Sequence, residues 1–400
     1  MWGQWGDRGY RGVSGLCGTP LSYDQGLAED LDASSGPLCS LLISLTRPPS
    51  RLYVRVNTLK IDVERYLNIL GERGLEFKVD EDIPEALWHP VEGPFKIELT
   101  GDEKVVVADK IAAESVLMGS DLYAPGVIEA KGVERGDRVV IVSPNGIVVG
   151  AGVAVESWRN IRVKRKGLAV KVTDPIYKAP RVRELPGFKE GLIYGQSITS
   201  MYVARAANLR PGETLIDMTA APGGKVSHAA QLMGRRSTII AVDRASKIGI
   251  LRENLARLGI DWVKVVASDS RRLTRIYPSL MGKADVVLVD PPCSNIGVVP
   301  KVWDKKGMKD VISASRYQRG FISEAKRLLK RGGRLVYSTC TLTSIENEFN
   351  AAYAVEEGFE LEWSWGVKPS RGWSSGLGWR WAPHRDGTPG FFLAVLVKVR

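Results

Sequence analysis

Short apolar runs alternate with longer amphipathic stretches from Leu192 onward, and this pattern restricts the carboxyl-terminal half to a parallel sheet connected by helices. The predicted elements are strands at residues 214–217, 238–243, 263–267, 284–289 and 334–337, a last edge strand at residues 392–399, and helices at residues 245–258 and about 312–330. The predicted fold class of this half is therefore α/β.

Two cysteines follow the last two of these parallel strands. Cys293 lies in the sequence DPPCS after the strand that ends at residue 289, and Cys340 lies in STCT after the strand that ends at residue 337. Open α/β sheets bind ligands at the carboxyl ends of their strands. An unpaired cysteine is often a small buried apolar side chain, but two of them at strand ends, beside Asp290, favour covalent catalysis.

The other two cysteines, Cys17 and Cys39, lie in no comparable context and are predicted to be inert. Four cysteines in 400 residues, without a CxxC pair, argue against a disulfide scaffold or a zinc site and indicate a reducing compartment. Residues 1–18 lack the apolar core of a signal peptide. No run reaches the roughly 18 apolar residues of a membrane span. We therefore expect a soluble, cytoplasmic protein that binds neither a metal nor a membrane.

The net charge of +11 favours a polyanionic partner, with nucleic acid as the first candidate. Basic side chains concentrate in one stretch near Trp158. They are Arg159, Arg162, Lys164, Arg165 and Lys166, followed by Lys171, Lys178, Arg181 and Arg183. Contact with phosphate groups is the favoured interpretation, and a solvated strand face or turn is the alternative.

Three units are predicted along the chain, with the bounds 1–100, 101–175 and 176–400. The first contains a strand at residues 51–60 and an amphipathic helix at residues 63–71, which together indicate a small α+β unit. The second follows a change of composition near Gly101 and combines several valine-rich strands with one helix. It is predicted to be a compact β-rich module.

A glycine-rich loop with the sequence AAPGGK, residues 220–225, follows the strand at residues 214–217. Gly223 and Gly224 let the backbone approach a ligand closely, and the amino terminus of the following helix adds N–H donors. Asp243 ends the next strand, where an acid typically accepts hydrogen bonds from a ribose diol. Asp269 follows the strand after that and is a candidate partner of an adenine amino group. Helix capping is the alternative role for each aspartate.

The loop has neither the GxGxxG nor the Walker spacing, so S-adenosylmethionine, with a ribose but no phosphate, is the predicted cofactor.

Two thiols and an acid beside such a cofactor suit covalent methylation of a cytosine base. Carbon 5 of cytosine is a poor nucleophile, and addition of a thiolate to carbon 6 gives an enamine-like adduct that attacks a methyl sulfonium. An acid at ring nitrogen 3 stabilises the developing charge, and a base then removes the carbon 5 proton. Cys293, Cys340 and Asp290 can supply these groups. Lys225 is the nearest candidate to lower a thiol pKa.

In five motifs that occur in order, the chain resembles the RNA cytosine-5 methyltransferases of the NOL/NOP/Sun group. The motifs are RVNTLK at residues 55–60, AAPGGK, DPPCS, STCTLTSIENE at residues 338–348 and PGFFLA at residues 389–394. The resemblance implies a Rossmann-like, S-adenosylmethionine-dependent methyltransferase with an RRM-like amino-terminal α+β segment. It also implies that Cys340 attacks carbon 6 and that Cys293 assists product release. Asp290 is then expected to contact the cytosine, with Lys225 supporting the same site. The implied cofactor-binding residues are Thr219, Ala220, Ala221, Pro222, Gly223, Gly224, Lys225, Asp243, Asp269 and Asp290.

The β-rich module resembles an inserted PUA domain, an RNA-binding β-barrel, in residues 107–109, 112–113, 116–120 and 124–127. Within the family, this insertion is typical of members that modify the acceptor end of transfer RNA and read its CCA terminus. The resemblance therefore implies transfer RNA as the partner, with Gly119 and Gly126 shaping the RNA groove. We expect the enzyme to be a monomer.

Several alternatives remain open at this point. They are methylation of cytosine in ribosomal RNA or DNA, methylation of an exocyclic amino group, and RNA binding by a catalytically silent methyltransferase fold. The intact loop, Asp290 and both thiols argue against a silent factor. Amino methyltransferases carry an aromatic residue after (D/N)PP, whereas residue 293 is cysteine. DNA cytosine methyltransferases use the proline–cysteine thiol as nucleophile and carry no PUA-like module.

Overall fold

The computed structural model of the protein describes residues 15–400, so most of the segment searched for a signal peptide, residues 1–18, lies outside the described residues. This part of the chain forms sheets of two, six, four and nine strands. Within residues 15–400, no helix combines the length and the apolar character that a membrane span requires. The nine-stranded sheet belongs to the carboxyl-terminal half and carries the candidate site.

The amino-terminal region combines short strands with three helices. These elements are β1 (Leu21–Tyr23), α1 (Gln25–Ser35), α2 (Leu38–Leu45), β2 (Arg51–Val56), α3 (Val63–Gly71), β3 (Lys78–Val79) and β4 (Ala86–Pro90). The predicted helix is confirmed as α3, and the predicted strand is confirmed as β2 except at its end, because β2 stops at Val56 and not at residue 60. Helix α3 begins at its cap Asp62, whose carboxylate accepts a hydrogen bond from the backbone N–H of Arg65. It buries Tyr66 and Leu70 in a cluster shared with Val56 of β2.

The middle region is the predicted β-rich module. Its elements are β5 (Lys104–Ala108), α4 (Lys110–Leu117), β6 (Leu122–Tyr123), β7 (Val127–Glu129), β8 (Arg138–Val142), β9 (Val148–Ala154), α5 (Trp158–Lys164) and β10 (Leu168–Pro175). The six strands run in the order β6-β10-β9-β8-β5-β7, and all neighbours are antiparallel except β5 and β8. The basic residues from Arg159 to Lys166 lie on helix α5, which Ser157 caps, and just after it, so a strand face is wrong for these residues. Lys171 lies exposed on strand β10.

The carboxyl-terminal half alternates strands and helices as predicted. Its elements are β11 (Ile193–Gly195), α6 (Ile198–Ala206), β12 (Thr214–Asp217), α7 (Gly224–Met233), β13 (Thr238–Asp243), α8 (Ala245–Leu258), β14 (Lys264–Ala267), α9 (Leu273–Ile276), β15 (Ala284–Val289), β16 (Asp304–Lys306), α10 (Met308–Leu328), β17 (Leu329–Thr339), α11 (Glu348–Glu356), β18 (Phe359–Leu361), β19 (Trp373–Ser374), β20 (Trp379–Trp381), α12 (Pro383–Asp386) and β21 (Phe391–Lys398). The sheet order is β14-β13-β12-β15-β17-β21-β20-β19, and the five predicted strands are mutually parallel.

The expectation that residues 392–399 form an edge strand is wrong. Strand β21 pairs antiparallel with β17 on one side, and both β20 and β18 pair with β21 on the other. Six of its eight residues are buried, which agrees with a strand inside the sheet. The covering strands have only three residues each, so their sequences give too little alternation to predict them.

The amino-terminal region is joined to the carboxyl-terminal half at several places. Strand β1 pairs with β16, and β11 pairs with β2, so that the four-stranded sheet has the order β11-β2-β4-β3. Helices α1 and α2 bury Leu31 and Leu41 in one cluster with Ile296 and Leu342. The amino-terminal helices therefore lie behind the two loops that follow β15 and β17.

The prediction that Cys17 and Cys39 are inert, unpaired thiols is wrong, because the two form a disulfide bond. Their Cα atoms lie 5.3 Å apart, within the range that a disulfide spans. They are 22 residues apart in sequence and belong to no CxxC pair. Their proximity arises only when β1, α1 and α2 fold together.

Candidate active site

A cavity of about 630 Å³ opens at the carboxyl ends of the parallel strands. Both free cysteines line it, as do residues that follow β12, β13, β14 and β15. Of the predicted cofactor residues, those that line the cavity are Thr219, Ala221, Asp243, Asp269 and Asp290. The remaining ones do not line the cavity and lie in the glycine loop and the first turn of α7: Ala220, Pro222, Gly223, Gly224 and Lys225.

The two thiols are in direct contact, since Sγ of Cys293 lies 3.1 Å from Sγ of Cys340. The loop of Cys293 follows β15, and Cys340 directly follows β17; these two strands are parallel neighbours in the sheet. The hydrogen bond with Cys340 raises the pKa of Cys293 well above its ordinary value, and burial acts in the same direction. Cys293 therefore holds its proton, and neither cysteine is in a disulfide bond.

Asp290 is held by three partners at the edge of the cavity. Lys225 donates to Oδ2 over 2.6 Å, and Ser338 donates to Oδ1 over 2.8 Å. The backbone N–H of Asp290 donates to Oγ1 of Thr219 over 2.9 Å. Lys225 pairs directly with Asp290, and the charge of Cys340 also acts on it, so its role of lowering a thiol pKa stays a prediction. Burial acts to lower the pKa of Lys225, but the Asp290 carboxylate outweighs it and raises that pKa.

The DPPCS loop is fixed by buried side chains from distant parts of the chain. Glu346 accepts a hydrogen bond from the backbone N–H of Ser294 over 2.8 Å. Gln318, on α10, donates both to Glu346 over 2.8 Å and to the carbonyl oxygen of Pro292 over 3.1 Å. Glu346 belongs to the STCTLTSIENE motif but received no role from the sequence, and neither did Gln318 or Ser338. No local sequence pattern predicts the roles of these three residues, because each acts through a partner that is far away in sequence.

The cofactor side of the cavity contains Asp243 and Asp269. Asp243 accepts one backbone hydrogen bond on each oxygen, from Ala221 over 2.9 Å and from Arg244 over 2.8 Å. Each carboxylate oxygen keeps a second lone pair, so Asp243 can still accept from a ribose hydroxyl. Asp269 binds the guanidinium of Arg271 over 3.0 and 2.8 Å, and this hydrogen bonding lowers the pKa of Asp269. Asp269 is therefore more fully engaged by its own loop than Asp243.

The glycine loop is tied to the amino-terminal sheet by Arg55, the first residue of the RVNTLK motif. Its buried guanidinium donates to the carbonyl oxygen of Gly224 over 2.8 Å and to Oγ of Ser227 over 2.7 Å. Next to it, Glu85 from the end of the β3–β4 connection pairs with the buried His228 of α7 over 2.5 Å. The sequence alone assigned no role to this motif; the structure shows that it fixes the turn that carries Lys225.

The cavity is compatible with S-adenosylmethionine. The cavity is lined by three carboxylates, from Asp243, Asp269 and Asp290, which suit the ribose and the positive charges of this cofactor. Tyr317 and Phe321 provide an aromatic wall. Behind the loop, the buried Asp217 keeps one carboxylate oxygen without a hydrogen-bond partner. Burial raises the pKa of Asp217 to about 7. The donor set suits the ribose and the cationic groups of this cofactor and offers no phosphate-binding spacing.

Comparison with known proteins agrees with this geometry. The family described as 16S rRNA methyltransferase RsmB/F matches residues 204–397, and the PUA domain family matches residues 104–176. The chain is 42% identical to the tRNA (cytosine(72)-C(5))-methyltransferase of Pyrococcus horikoshii, covering 90% of this chain and 92% of that protein. It is 31% identical to the tRNA (cytosine(72)-C(5))-methyltransferase NSUN6 of Homo sapiens, covering 79% of this chain and 74% of that protein.

The crystal structure of NSun6 from Pyrococcus horikoshii with SFG, an analogue of S-adenosylmethionine, superimposes with a TM-score of 0.86 at 40% identity and covers 94% of this chain and 99% of that one. Fold and cavity define a methyltransferase with a PUA domain. The chain belongs to the RsmB/F (Sun) family of RNA cytosine-C5 methyltransferases. The predictions of fold class, enzyme class and S-adenosylmethionine as cofactor are confirmed.

Proposed function

We propose that this protein methylates carbon 5 of a cytosine at the acceptor end of transfer RNA, with cytosine 72 as the first candidate. The observation that carries the proposal is one cavity in which two thiols 3.1 Å apart share a wall with Asp290 and Asp243. The choice of target is supported by relatives named for cytosine 72 that match most of the chain. The PUA match at residues 104–176 supports RNA as the substrate.

The division of labour between the thiols follows from their contact. The hydrogen bond with Cys340 raises the pKa of Cys293 and keeps Cys293 protonated, so we assign the attack on carbon 6 of the ring to Cys340. The Lys225–Asp290 pair faces the ring and stabilises the charge that develops on it. S-adenosylmethionine supplies the methyl sulfonium. Cys293 then loses its own proton to solvent and, as a thiolate, takes the carbon 5 proton. The electron pair of that C–H bond restores the double bond between carbon 5 and carbon 6, and the bond between carbon 6 and the sulfur of Cys340 breaks, so that Cys340 leaves as a thiolate.

A change of acidity supports this sequence of roles. The hydrogen bond that the S–H of Cys293 donates to the sulfur of Cys340 is the largest cause of the raised pKa of Cys293. Once the sulfur of Cys340 is bonded to carbon 6, that hydrogen bond and the charge of the neighbouring sulfur are gone. The pKa of Cys293 then falls toward its ordinary value, and Cys293 becomes able to exchange a proton at carbon 5.

The PUA domain is connected to the thiol loop by direct contacts. Glu114 of α4 accepts a hydrogen bond from the backbone N–H of Val302 over 3.3 Å, and Lys110 lies 3.6 Å from Asp304. Asn145 of the module donates to the carbonyl oxygen of Val302 over 3.3 Å. These contacts support a fixed distance between RNA bound to the PUA domain and the cytosine at the thiols.

Only some of the basic side chains on α5 and just after it are available for contact with phosphate groups. Arg165 donates to the carbonyl oxygens of Val127 and Pro125, and so stabilises the module itself. Arg159 and Arg162 are exposed and make no ion pair within the described residues. Lys166 is exposed in the same way.

The test uses two synthetic transfer RNA transcripts that differ only at position 72, with cytosine in one and uridine in the other. Each is incubated with the full chain and methyl-labelled cofactor, and the product is mapped by bisulfite sequencing. Label in the cytosine transcript alone, at position 72, is the expected result. Equal label in both transcripts, or label only in a ribosomal RNA fragment added as a third substrate, would show that the proposed target is wrong.

A further inference from the structure

We propose that Asn295 is a catalytic residue of this enzyme, whose side-chain amide holds both thiols and stabilises the thiolate of Cys340. The inference rests on the proposed roles of the two cysteines. Its physical basis is a contact that no motif predicted: Oδ1 of Asn295 lies 2.9 Å from Sγ of Cys340 and 3.3 Å from Sγ of Cys293. Asn295 also lines the cavity, so its amide lies beside the reacting atoms.

The backbone of Asn295 has the left-handed conformation, with φ of 58°. Among residues with a side chain, asparagine tolerates this conformation best. The conformation turns the chain sharply after Cys293 and aims the short side chain back at the two sulfurs. Glycine would adopt the same backbone, so asparagine adds an amide to a turn that does not itself need one.

The position of Asn295 is fixed from outside the cavity. The ammonium of Lys301 donates to the carbonyl oxygen of Asn295 over 2.9 Å, and Lys301 itself is almost fully buried beside Asp304. The backbone N–H of Gly297 donates to the carbonyl oxygen of Cys340 over 3.0 Å. The carboxylate of Asp304 also forms a salt bridge with Lys110 of the PUA domain. The amide is therefore held on the loop that connects the PUA domain to the thiols.

A carboxamide side chain can form a hydrogen bond with a neighbouring cysteine both as a thiol and as a thiolate. Its oxygen accepts from S–H, which is a weak donor. Rotation of the terminal amide, whose torsion is soft, presents N–H groups to the thiolate in place of the oxygen. Hydrogen bonds to an ionised partner are about twice as strong as neutral ones. In the structure the amide oxygen faces both sulfurs, as suits protonated thiols. Ionisation of Cys340 favours the rotated amide, whose N–H groups then stabilise the thiolate more strongly than the oxygen stabilised the thiol.

Other charged groups also face the thiols, and the test leaves them unchanged. Lys225 comes from the first turn of α7, Asp290 from the loop after β15, and Glu346 from the loop before α11. Glu346 acts electrostatically on Cys293 and Lys225 on Cys340, whereas Asp290 lines the same cavity. A substitution at residue 295 therefore isolates the amide.

The experiment compares the wild type with Asn295→Gly, which keeps the left-handed turn and removes only the amide, and with Asn295→Asp, which keeps the size and adds a negative charge. Iodoacetamide alkylation of Cys340 is followed against pH by mass spectrometry of its own tryptic peptide. We expect the pH midpoint of alkylation to rise by about one unit in Asn295→Gly, with kcat for RNA methylation about tenfold lower and cofactor affinity unchanged. The rise should be larger in Asn295→Asp.

Equal alkylation midpoints in the wild type and Asn295→Gly would overturn the proposal, whatever happens to methylation. A midpoint that falls in Asn295→Gly would also overturn it, because the amide would then favour the protonated thiol. A shifted midpoint in a protein that methylates no transfer RNA would support the role of Asn295 and refute the proposed substrate. Circular dichroism of each variant checks that the fold is retained.

Discussion

The two sides of the cavity hold their functional groups by different means. On the cofactor side, Asp243 accepts from the backbone of Ala221 and Arg244, 22 residues and one residue away, and Asp269 binds Arg271, two residues away. On the thiol side, the partners are side chains of distant elements. Lys225 reaches Asp290 across 65 residues, Ser338 across 48, and Glu346 reaches Ser294 across 52.

This difference separates binding from chemistry. The cofactor side depends on backbone groups at Asp243 and on one neighbouring side chain, Arg271, at Asp269, so a single side-chain change there affects mainly one interaction. The thiol side depends on a connected set of buried polar side chains, in which removal of one partner leaves another without a hydrogen bond. Substitutions on the thiol side should therefore abolish turnover, whereas those on the cofactor side should weaken binding.

The largest effect is expected at the thiols. Cys340→Ala should lose both methylation and the covalent RNA adduct, because no sulfur remains to attack carbon 6. Cys293→Ala should instead accumulate RNA attached through Cys340, because product release is impaired. A denaturing gel of each variant with RNA and cofactor separates the two cases, with a shifted band for Cys293→Ala alone. The reverse pattern would mean that the two thiols exchange roles, and normal methylation in both variants would end the covalent mechanism.

The aspartates of the cofactor side are expected to differ from each other. Asp243→Ala should weaken S-adenosylmethionine binding by roughly 1–3 kcal/mol, because a partner of the ribose is removed. Asp269→Ala should have a smaller effect, because Arg271 already engages that carboxylate. Calorimetric titration of the cofactor measures both affinities. Equal losses of affinity would mean that Asp269 contacts the cofactor as strongly as Asp243, and no loss in either variant would make both aspartates helix caps.

The exposed basic side chains of α5 should affect RNA binding and not the cavity. Arg159→Glu combined with Arg162→Glu should weaken transfer RNA binding and reduce its salt dependence, with the slope falling by about one for each phosphate that is no longer bound. Arg165→Glu is the matched comparison, and it should lower the melting temperature, because Arg165 holds the module together. Filter binding over a series of salt concentrations measures the slope. An unchanged slope in the double variant would exclude these two side chains from the RNA interface.

The last effect concerns stability and not activity, and it arises at the contact between the cofactor side and the amino-terminal sheet. Burial lowers the pKa of His228 to about 4, so the folded protein keeps this side chain neutral. The unfolded chain, with a pKa near 6.5, binds a proton between these values. The stability that His228 contributes is therefore complete above pH 6.5 and is lost as the pH falls toward 4, by at most about 1.4 kcal/mol per pH unit. Denaturant unfolding at several pH values measures this slope, and His228→Gln should reduce it; an unchanged slope would assign it to other groups.

Much of the carboxyl-terminal half could be predicted because its signals are local. A strand such as Ala284–Val289 is a continuous apolar run, and its bounds agree with the prediction to the residue. The bounds of helix Ala245–Leu258 agree equally well. Its apolar periodicity indicates the buried face, and the following Gly259 indicates where the helix ends. Strands β18 and β20 were missed because three residues carry too little pattern, and the partners of β21 were missed with them.

The sequence by itself determined which groups could take part in the chemistry: two thiols and an aspartate in the loops that follow strands, and a glycine loop that leads into a helix with its lysine. Only the tertiary structure decided how they pair. It joined Lys225 to Asp290, Cys17 to Cys39, and Asn295 to both free thiols. Apolar periodicity is a property of neighbouring residues and can be read along the chain, whereas a hydrogen bond between distant side chains depends on loop conformations that exist only after the sheet has assembled.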